Sequence, residues 1–394
     1  MSKFHSYIGS AGKIIGTYTA GKPLALHLKS FFAAEKKFGS RDRRVISSLC
    51  YYYFRVGHAL NHKETAERIL TGLFLCENKS NELLHFFHPD LDDRIGLPLA
   101  DKISLSGIKI NDIFPFKDEL GDSIESRDFA LSFFKQPQLY LRVRPGRKDR
   151  VIHKLNGASV AFEWRGADCL VLANNASADK ILQLNKDAVV QDINSQKVLD
   201  HIDRGSFPTR ANQQLKAWDC CAASGGKSIL LFDKLKGNIQ LTVSDIRENI
   251  LANLRKRLQQ AGININRSFI ADLSVSPGLL PQEKFDIIIC DAPCTGSGTW
   301  SRNPEQLLFF KKATIDEYAK RQQQIVSNVI PHLDSSGLFF YITCSVFKKE
   351  NEELVSFIKH KFPQLNLLQM EYLKGYDNAA DTMFVALFQI SNTK

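Results

Sequence analysis

Two cysteines and three aspartates lie where apolar, strand-like runs of this sequence end, and their types and spacing suit catalysis. The first cysteine, Cys294, belongs to the segment 290–300, CDAPCTGSGTW, which follows the apolar run 285–289. Asp291 precedes Cys294 by three residues, and Pro293 between them fixes one backbone angle. A lone cysteine is more often a buried apolar residue. A cysteine that follows an aspartate inside a turn of Pro and Gly favours a catalytic role instead.

A second thiol, Cys344, ends the strand predicted at 338–343. Neighbouring strands of a parallel sheet end at the same edge, so we expect Cys294 and Cys344 to face one cleft. The thiolate is the reactive form of cysteine and needs electropositive surroundings, which Lys227 or Arg302 could supply. Metal binding is the alternative for paired cysteines, but the sequence shows no CxxC pair and no His at zinc spacing. We therefore predict no metal.

Three groups that follow consecutive strands predict a ligand-binding edge. The turn 220–228 contains Gly225 and Gly226, which let the backbone approach a ligand, and it opens a helix whose N-terminus favours negative charge. Asp245 ends the second strand about 20 residues past this turn, where an acid can accept hydrogen bonds from a ribose. Asp272 ends the third strand and is expected near an adenine edge. Acidic helix caps would explain any one of these groups but explain all three poorly, so we predict a nucleoside-containing cofactor.

The elements that must position these groups form three regions. From residue 214 onward, strand-like and helix-like runs alternate, which predicts an α/β fold with a parallel sheet covered on both faces. Residues 135–192 alternate short strands and helices. Arg142 and Arg144 help to make this α+β segment basic, which suits RNA contact through phosphate neutralisation. Residues 1–130 show helical spacing of apolar side chains and predict a small all-α domain.

The charge balance points to a class of partner. The chain has 394 residues, and 52 Lys and Arg against 42 Asp and Glu give a net charge of +10. Such an excess favours nucleic acid, although an ordinary basic enzyme is an equally good interpretation of charge alone. No apolar run is long enough to span a bilayer, and the start lacks the apolar segment of a secretory signal. Because eight cysteines in so long a chain form no disulfide framework, we expect free thiols in a reducing, intracellular compartment.

Around these residues the sequence resembles the S-adenosylmethionine-dependent RNA cytosine-5 methyltransferases of the RsmB/Nop/Sun type. The family's DxCAAPGGKT motif reads DCCAASGGKS at 219–228, and its DAPCSGxGxxRRxPE motif reads DAPCTGSGTWSRNPE at 291–305. Its sTCSxxxxENE motif reads ITCSVFKKENEE at 342–353, and its VQDEASQ segment is similar to VQDINSQ at 190–196. The similarity spans about 190–390, and three long motifs in the correct order are highly specific.

The resemblance implies a role for each residue. Cys344 would be the nucleophile that adds to carbon 6 of a flipped-out cytosine, and Cys294 would assist product release. Asp291 would contact both the cytosine and the cofactor. Arg302, Arg142 and Arg144 would contact RNA. The S-adenosylmethionine site would consist of Cys221, Ala222, Ala223, Ser224, Gly225, Gly226, Lys227, Asp245, Asp272 and Asp291.

The resemblance also implies an architecture and partners. A Rossmann-like class I methyltransferase domain with a mostly parallel seven-stranded sheet is expected at 206–394. An all-α NusB-like domain at 1–130 and an RRM-like α+β subdomain at 131–205 would precede it. The expected partner of this cytoplasmic monomer is RNA, small-subunit rRNA first and tRNA second, with no membrane and no metal. A catalytically silent RNA-binding assembly factor and a DNA methyltransferase are the alternatives.

Two positions depart from the family's motifs. Ser224 stands where the first motif has Pro, and Ser301 replaces the first of two arginines, whereas Arg302 remains. The first change removes no ligand group, and the second removes one phosphate or nucleotide contact. Neither touches the two thiols or Asp291, so we expect an active enzyme.

Overall fold

The computed structural model describes residues 2–174, 176–202, 213–275 and 280–390. The predicted boundary between residues 205 and 206 lies outside these ranges. The α-helices are α1 Lys3–Thr17, α2 Leu24–Ala34, α3 Ser40–Arg55, α4 Thr65–Cys76, α5 Glu82–Phe87, α6 Pro89–Asp92, α7 Leu99–Ser106, α8 Ile110–Ile113, α9 Ser126–Ser132, α10 Lys148–Gly157, α11 Ala178–Ile181, α12 Ile193–Lys197, α13 Gly226–Lys234, α14 Glu248–Gln260, α15 Glu305–Phe309, α16 Ala313–Val329 and α17 Glu352–Lys361.

The strands form two sheets. Their bounds are β1 Leu139–Val143, β2 Phe162–Trp164, β3 Cys169–Leu172, β4 Ala188–Val190, β5 Leu215–Asp219, β6 Ile239–Asp245, β7 Ile265–Ile270, β8 Phe285–Asp291, β9 Leu333–Thr343, β10 Leu365–Leu373 and β11 Met383–Ile390. The chain divides into two compact units. The helical unit comprises Met1–Leu120, Glu125–Pro137 and Thr299–Lys312, and the sheet unit comprises Gly121–Ile124, Gln138–Gly298 and Ala313–Lys394.

The helical unit includes a segment that lies far along the chain from its other helices. The buried faces of α3 and α4 supply much of the core of this unit. Residues 299–312 belong to this unit. One contact that joins them to its helices is a hydrogen bond of 3.1 Å from the Leu24 backbone N–H to the Glu305 carboxylate. Trp300 is buried beside Phe310, with ring centroids 4.7 Å apart. The compact unit that contains Arg302 is therefore the helical one.

The smaller sheet of the sheet unit is antiparallel, in the order β2-β3-β1-β4. Its apolar face packs around α10, through Val151 and Leu155. The alternation of apolar residues along 139–144 predicted β1, which the structure confirms over Leu139–Val143.

Arg142 in β1 and Arg144, which follows the end of β1, do not have the exposure that the predicted RNA contact requires. Arg142 and Arg144 are not free to neutralise phosphate, because both guanidinium groups bind the carboxylate of Asp233 on α13, each at 2.6 Å. The three side chains keep 10% exposure or less. A run of basic residues in a sequence can form either buried ion pairs or a basic surface. Here the partner that buries the arginines, Asp233, lies 91 residues from Arg142 and could not be identified from the local sequence.

This buried ion pair carries our first prediction, which concerns stability. Asp233→Ala leaves two buried guanidinium groups without their acid, so we expect the free energy of unfolding to fall by about 3–5 kcal/mol. Asp200→Ala is the control, because it breaks only the partly exposed pair between Asp200 and Lys234 and should cost less than about 1 kcal/mol. Urea titrations of both variants measure the difference, and equal midpoints would contradict the prediction.

The larger sheet has seven strands in the order β10-β11-β9-β8-β5-β6-β7, and this confirms the predicted α/β fold class. The strands from β9 to β7 are parallel, whereas β11 pairs antiparallel with both β9 and β10. Apolar side chains of α13 and α14 cover one face, and those of α16 and α17 cover the other. Among the described residues, no helix combines the length and the apolar character needed to cross a bilayer.

Candidate active site

The two predicted thiols meet at the carboxyl edge of the larger sheet. Asp291 at the end of β8 is in register with Ile342 of β9, so the loops that follow both strands begin side by side. The sulfur atoms of Cys294 and Cys344 lie 3.4 Å apart, and both residues are half-buried. A single small planar group can therefore contact both sulfurs, which a separation above about 10 Å would prevent.

The contact between the two sulfurs affects the acidity of Cys294. A hydrogen bond to Cys344 raises the pKa of the Cys294 thiol well above its ordinary value, and burial raises it further. Cys294 therefore holds its proton more tightly than an ordinary thiol does.

Lys227 and Asp291 form an ion pair beside the thiols. The Lys227 ammonium lies 2.6 Å from Asp291 Oδ2, with side-chain exposures of 11% and 27%. Burial alone would lower the pKa of Lys227, but the Asp291 charge and hydrogen bond outweigh burial, with smaller contributions from Cys344 and Asp219, so the pKa is raised. A fixed positive charge is therefore held next to Asp291 and near Cys344.

A buried carboxylate that the sequence did not single out holds the thiol loops. Glu350 accepts hydrogen bonds from the Thr295 backbone N–H at 2.9 Å, the Thr295 hydroxyl at 2.6 Å and the Ser345 hydroxyl. Gln322 of α16 donates a further bond at 2.9 Å. Thr295 and Ser345 directly follow Cys294 and Cys344, so Glu350 ties together the backbone next to both thiols. Burial raises the pKa of Glu350 although these bonds oppose the rise.

A cavity of about 380 Å³ opens at the same edge. Both polar and apolar side chains line it. It is lined by Cys220, Cys221, Ala223, Asp245, Ile246, Arg247, Ala271, Asp272, Leu273, Asp291, Pro293, Cys294, Tyr318, Arg321 and Ile325. Its volume lies within the range of small-molecule sites, and its apolar walls with a few converging polar groups are typical of them.

The acids at the ends of β6 and β7 face this cavity. The carboxylate of Asp245 accepts bonds from the Ala223 and Arg247 backbone N–H groups, each at 3.0 Å, and from the Arg247 guanidinium. Burial pushes the pKa of Asp245 upward, but these bonds outweigh burial and lower it. Ser274 hydrogen bonds lower the pKa of Asp272. Both groups are therefore ionised acceptors, as a hydroxyl- and amine-bearing ligand requires.

The glycine turn before α13 has the backbone that its sequence predicts. Gly225 caps α13 with φ +81°, and Ala223 also has positive φ, at +43°. A side chain at Gly225 would be strained by this backbone angle and would lie 3.3 Å from Leu254. The tight turn brings the Ala223 N–H to Asp245 and so fixes one wall of the cavity.

The cavity contains some, not all, of the predicted cofactor residues. Cys221, Ala223, Asp245, Asp272 and Asp291 line it. Ala222 is buried behind the turn. Ser224, Gly225 and Gly226 shape the turn and the start of α13, and Lys227 acts through Asp291. Ala222 and these four residues are not among the residues that line the cavity.

Sequence reasoning missed several residues of this site. Arg247, Tyr318 and Arg321 line the cavity, and Arg321 Nε is buried with no hydrogen-bond partner among the residues that the structure describes. Tyr318 and Arg321 lie on α16, where helical spacing alone does not tell a cavity-facing side chain from a solvent-facing one. Glu350 lies within the quoted ENE motif, which was the one signal available for it.

Asp219, at the end of β5, allows a prediction about pH. Burial raises the pKa of this fully buried carboxyl to about 7, and the Asp291 charge adds to the rise, although Ser228 donates a hydrogen bond to it. The unfolded chain ionises Asp219 near pH 4 whereas the folded chain does so near pH 7, so this residue makes stability fall as pH rises between these values. The shift of about three pKa units corresponds to about 4 kcal/mol.

Asp219→Asn removes this titration, because asparagine carries no ionisable proton in either state. We expect the variant to be more stable than the natural protein at pH 8, and the difference to shrink as pH falls towards 4. Chemical denaturation at a series of pH values measures it. Parallel pH profiles for the two proteins would mean that Asp219 is already ionised in the folded state at low pH.

Together, a seven-stranded Rossmann-like sheet, an acid-lined cavity at its carboxyl edge and reactive groups beside that cavity define a class I methyltransferase domain. Residues 209–388 match the family model described as 16S rRNA methyltransferase RsmB/F. This part of the chain, a little under half of its length, is therefore similar to the RsmB/F family of methyltransferases.

Curated relatives are similar to part of the chain. Over 185 residues, 46% of this chain, the sequence is 29% identical to ribosomal RNA small subunit methyltransferase B of Yersinia enterocolitica and 31% identical to that of Serratia proteamaculans. The aligned part spans only about two fifths of those relatives, 40% of their length.

Solved structures show the same fold at low sequence identity. The crystal structure of PH0851 superposes with a TM-score of 0.72 at 19% identity, covering 98% of this chain and 99% of that one. NSun6 from Pyrococcus horikoshii, solved with SFG, gives 0.58 at 14% identity, covering 70% and 96%.

Proposed function

We propose that this chain transfers a methyl group from S-adenosylmethionine to carbon 5 of a cytosine in RNA, through a covalent bond between Cys344 and the base. The observation that carries this proposal is the 3.4 Å separation of the Cys294 and Cys344 sulfurs at neighbouring strand ends. Carbon 5 of cytosine is unactivated, and adding a nucleophile at the adjacent carbon 6 makes it electron-rich. Two thiols on one ring supply both the addition and the later elimination.

The cavity fits the proposed cofactor. Ionised Asp245 and Asp272 can accept bonds from hydroxyl and amine groups, Ile246, Leu273 and Pro293 offer apolar surface for a planar base, and the unpartnered Arg321 Nε offers a donor. When bound there, S-adenosylmethionine supplies an electrophilic methyl group. The exposed Arg247 side chain, which occupies both oxygens of Asp245, would have to yield one of them to a ribose hydroxyl.

The side chains of this chain then have separate tasks. The sulfur of Cys344 donates an electron pair to carbon 6, and ring nitrogen N3 takes up the proton that the thiol gives up. The Asp291 carboxylate accepts a hydrogen bond from this N3–H, so that addition is not opposed by charge build-up. Once the Cys344 sulfur is bonded to carbon, it no longer raises the pKa of Cys294. Cys294 can then lose its own proton to solvent and, as a thiolate, assist removal of the carbon 5 proton. The bond between Cys344 and carbon 6 then breaks, and the methylated base leaves.

The proposed substrate is small-subunit rRNA in the cytoplasm, with tRNA as the second candidate. The similar methyltransferases and the matching family act on small-subunit rRNA according to their names, and the net charge of +10 suits a polyanion. A stacked base cannot reach two thiols at a sheet edge, so the cytosine must leave its stack before reaction.

Bisulfite sequencing of total RNA from cells with and without the gene tests the proposal. We expect one or a few cytosines of small-subunit rRNA to lose protection when the gene is absent, and a plasmid with the natural gene to restore it. Loss of protection in tRNA instead would assign the second substrate. Calorimetric binding of S-adenosylmethionine with no change in any RNA would favour a catalytically silent assembly factor.

A further inference from the structure

Three cysteine sulfurs converge in the wall of the cavity, outside the thiol pair. Cys220 and Cys221 follow β5, and Cys290 lies in the neighbouring strand β8. The Cys220 N–H donates to the Ile289 carbonyl at 2.9 Å, which fixes the register of the two strand ends. The three sulfur atoms all lie within 4.8 Å of one another.

This spacing is close to that of a metal site. A metal–sulfur bond of about 2.3 Å places three sulfurs around one ion about 4 Å apart, so small side-chain rotations suffice to close the site. All three cysteines are free thiols. Within the described ranges, this is the one group of three or more His, Cys, Asp or Glu whose ligand atoms come together in this way.

The donor atoms and their access select the kind of ion. Cys220 and Cys221 line the cavity, so an ion can enter from it and keep one coordination position open towards it, whereas Cys290 closes the site from the buried side. The nearby carboxylates of Asp245 and Asp291 are already paired with Arg247 and Lys227. Sulfur is therefore the donor that this wall offers, and thiolate ligands select Zn²⁺ and Cu⁺.

We propose that Cys220, Cys221 and Cys290 bind one thiophilic metal ion, Zn²⁺ or Cu⁺, as three thiolates. The thiol protons are released to solvent when the ion binds. The sequence alone predicted no metal, because two of the ligands are adjacent and the third comes from another strand, so no zinc-type spacing appears. An ion in this wall also reduces the space for a ligand at Cys221. That consequence rests on the proposed function, whereas metal binding itself does not.

Titration of the full-length, reduced protein under anaerobic conditions tests the proposal. Co²⁺, as a coloured substitute for Zn²⁺, should develop a sulfur-to-cobalt charge-transfer band that saturates at one equivalent and is removed by Zn²⁺. A parallel titration with Cu⁺ buffered by a chromophoric chelator distinguishes the two ions. A band or chelator competition at one equivalent with either ion supports the site, and the absence of both overturns it.

Three variants locate the ion. Cys290→Val replaces a buried thiol by an apolar side chain of similar size, and Cys221→Ser changes a ligand at the cavity wall. Since loss of an outer-shell partner alone costs about 10–100-fold in metal affinity, we expect each variant to bind at least about 100-fold more weakly. The double variant Cys294→Ser, Cys344→Ser should keep the natural affinity.

The opposite pattern, with binding kept in Cys290→Val and Cys221→Ser but lost in the double variant, would place the ion at the thiol pair and overturn the proposal. Binding of S-adenosylhomocysteine, measured by calorimetry with and without one equivalent of the ion, then tests the consequence for the cavity. Weaker binding with the ion supports competition, and unchanged binding overturns only that consequence. Failure of methyl transfer to RNA would leave the metal titrations unaffected.

Discussion

Cys344→Ala is expected to lose methyl transfer by a factor on the order of 10⁴ or more, because it removes the proposed nucleophile and with it the step that would activate the base. The variant should still bind S-adenosylhomocysteine, since Cys344 is not among the residues that line the cavity. Transfer of a tritiated methyl group to a small-subunit rRNA transcript measures the loss, and calorimetry measures the binding.

Cys294→Ala should behave differently, because it removes the thiol assigned to product release and leaves the attacking one. We expect a covalent adduct between protein and RNA that migrates slowly on a denaturing gel and disappears in the double variant with Cys344→Ala. Cys76→Ala serves as the control, since burial raises the pKa of that thiol to about 12 and makes it unreactive. An adduct that forms in Cys344→Ala and depends on Cys294 would reverse the two assignments.

The sequence predicted a strand correctly where the apolar pattern of its residues matches their burial in the folded protein. The central strand β5 has the bounds predicted from the sequence, 215–219, because Leu215, Ala217 and Trp218 are buried and give the apolar pattern that local sequence reading detects. The strand β10 was missed. It lies at the edge of the sheet, only its first residue is fully buried, and its antiparallel pairing with β11 is set by tertiary contacts rather than by its own sequence.

The sequence predicted those residues of the candidate site that directly follow the ends of parallel strands. Cys294, Cys344, Asp245 and Asp272 could be placed together because parallel strands end at one edge of a sheet. Contacts between distant segments could not be read in this way. The ion pair that buries Arg142 depends on Asp233, and the support of the thiol loops depends on Glu350, whose partners come from three separate segments.

Glu350→Ala is the other substitution with a large expected effect. It removes the acceptor of four hydrogen bonds and leaves a cavity behind the residues that follow both thiols. Since misplacing reacting groups by about 1 Å can cost about 100-fold in rate, we expect kcat to fall by about that factor, with KM for RNA nearly unchanged. Glu352→Ala is the matched control, because Glu352 instead bonds Tyr372 and the Asp122 N–H.

Glu350→Gln separates position from charge. Glu350 Oε1 receives the two N–H donors, from Thr295 and Gln322, whereas Oε2 receives only the hydroxyls of Thr295 and Ser345. A glutamine whose amide oxygen takes the place of Oε1 can donate its N–H groups to the hydroxyls of Thr295 and Ser345, because a hydroxyl can accept a hydrogen bond as well as donate one. We therefore expect Glu350→Gln to recover most of the kcat lost in Glu350→Ala. If both variants lost kcat equally while keeping the stability of the natural protein, the negative charge itself would be required, and the positioning role would be wrong.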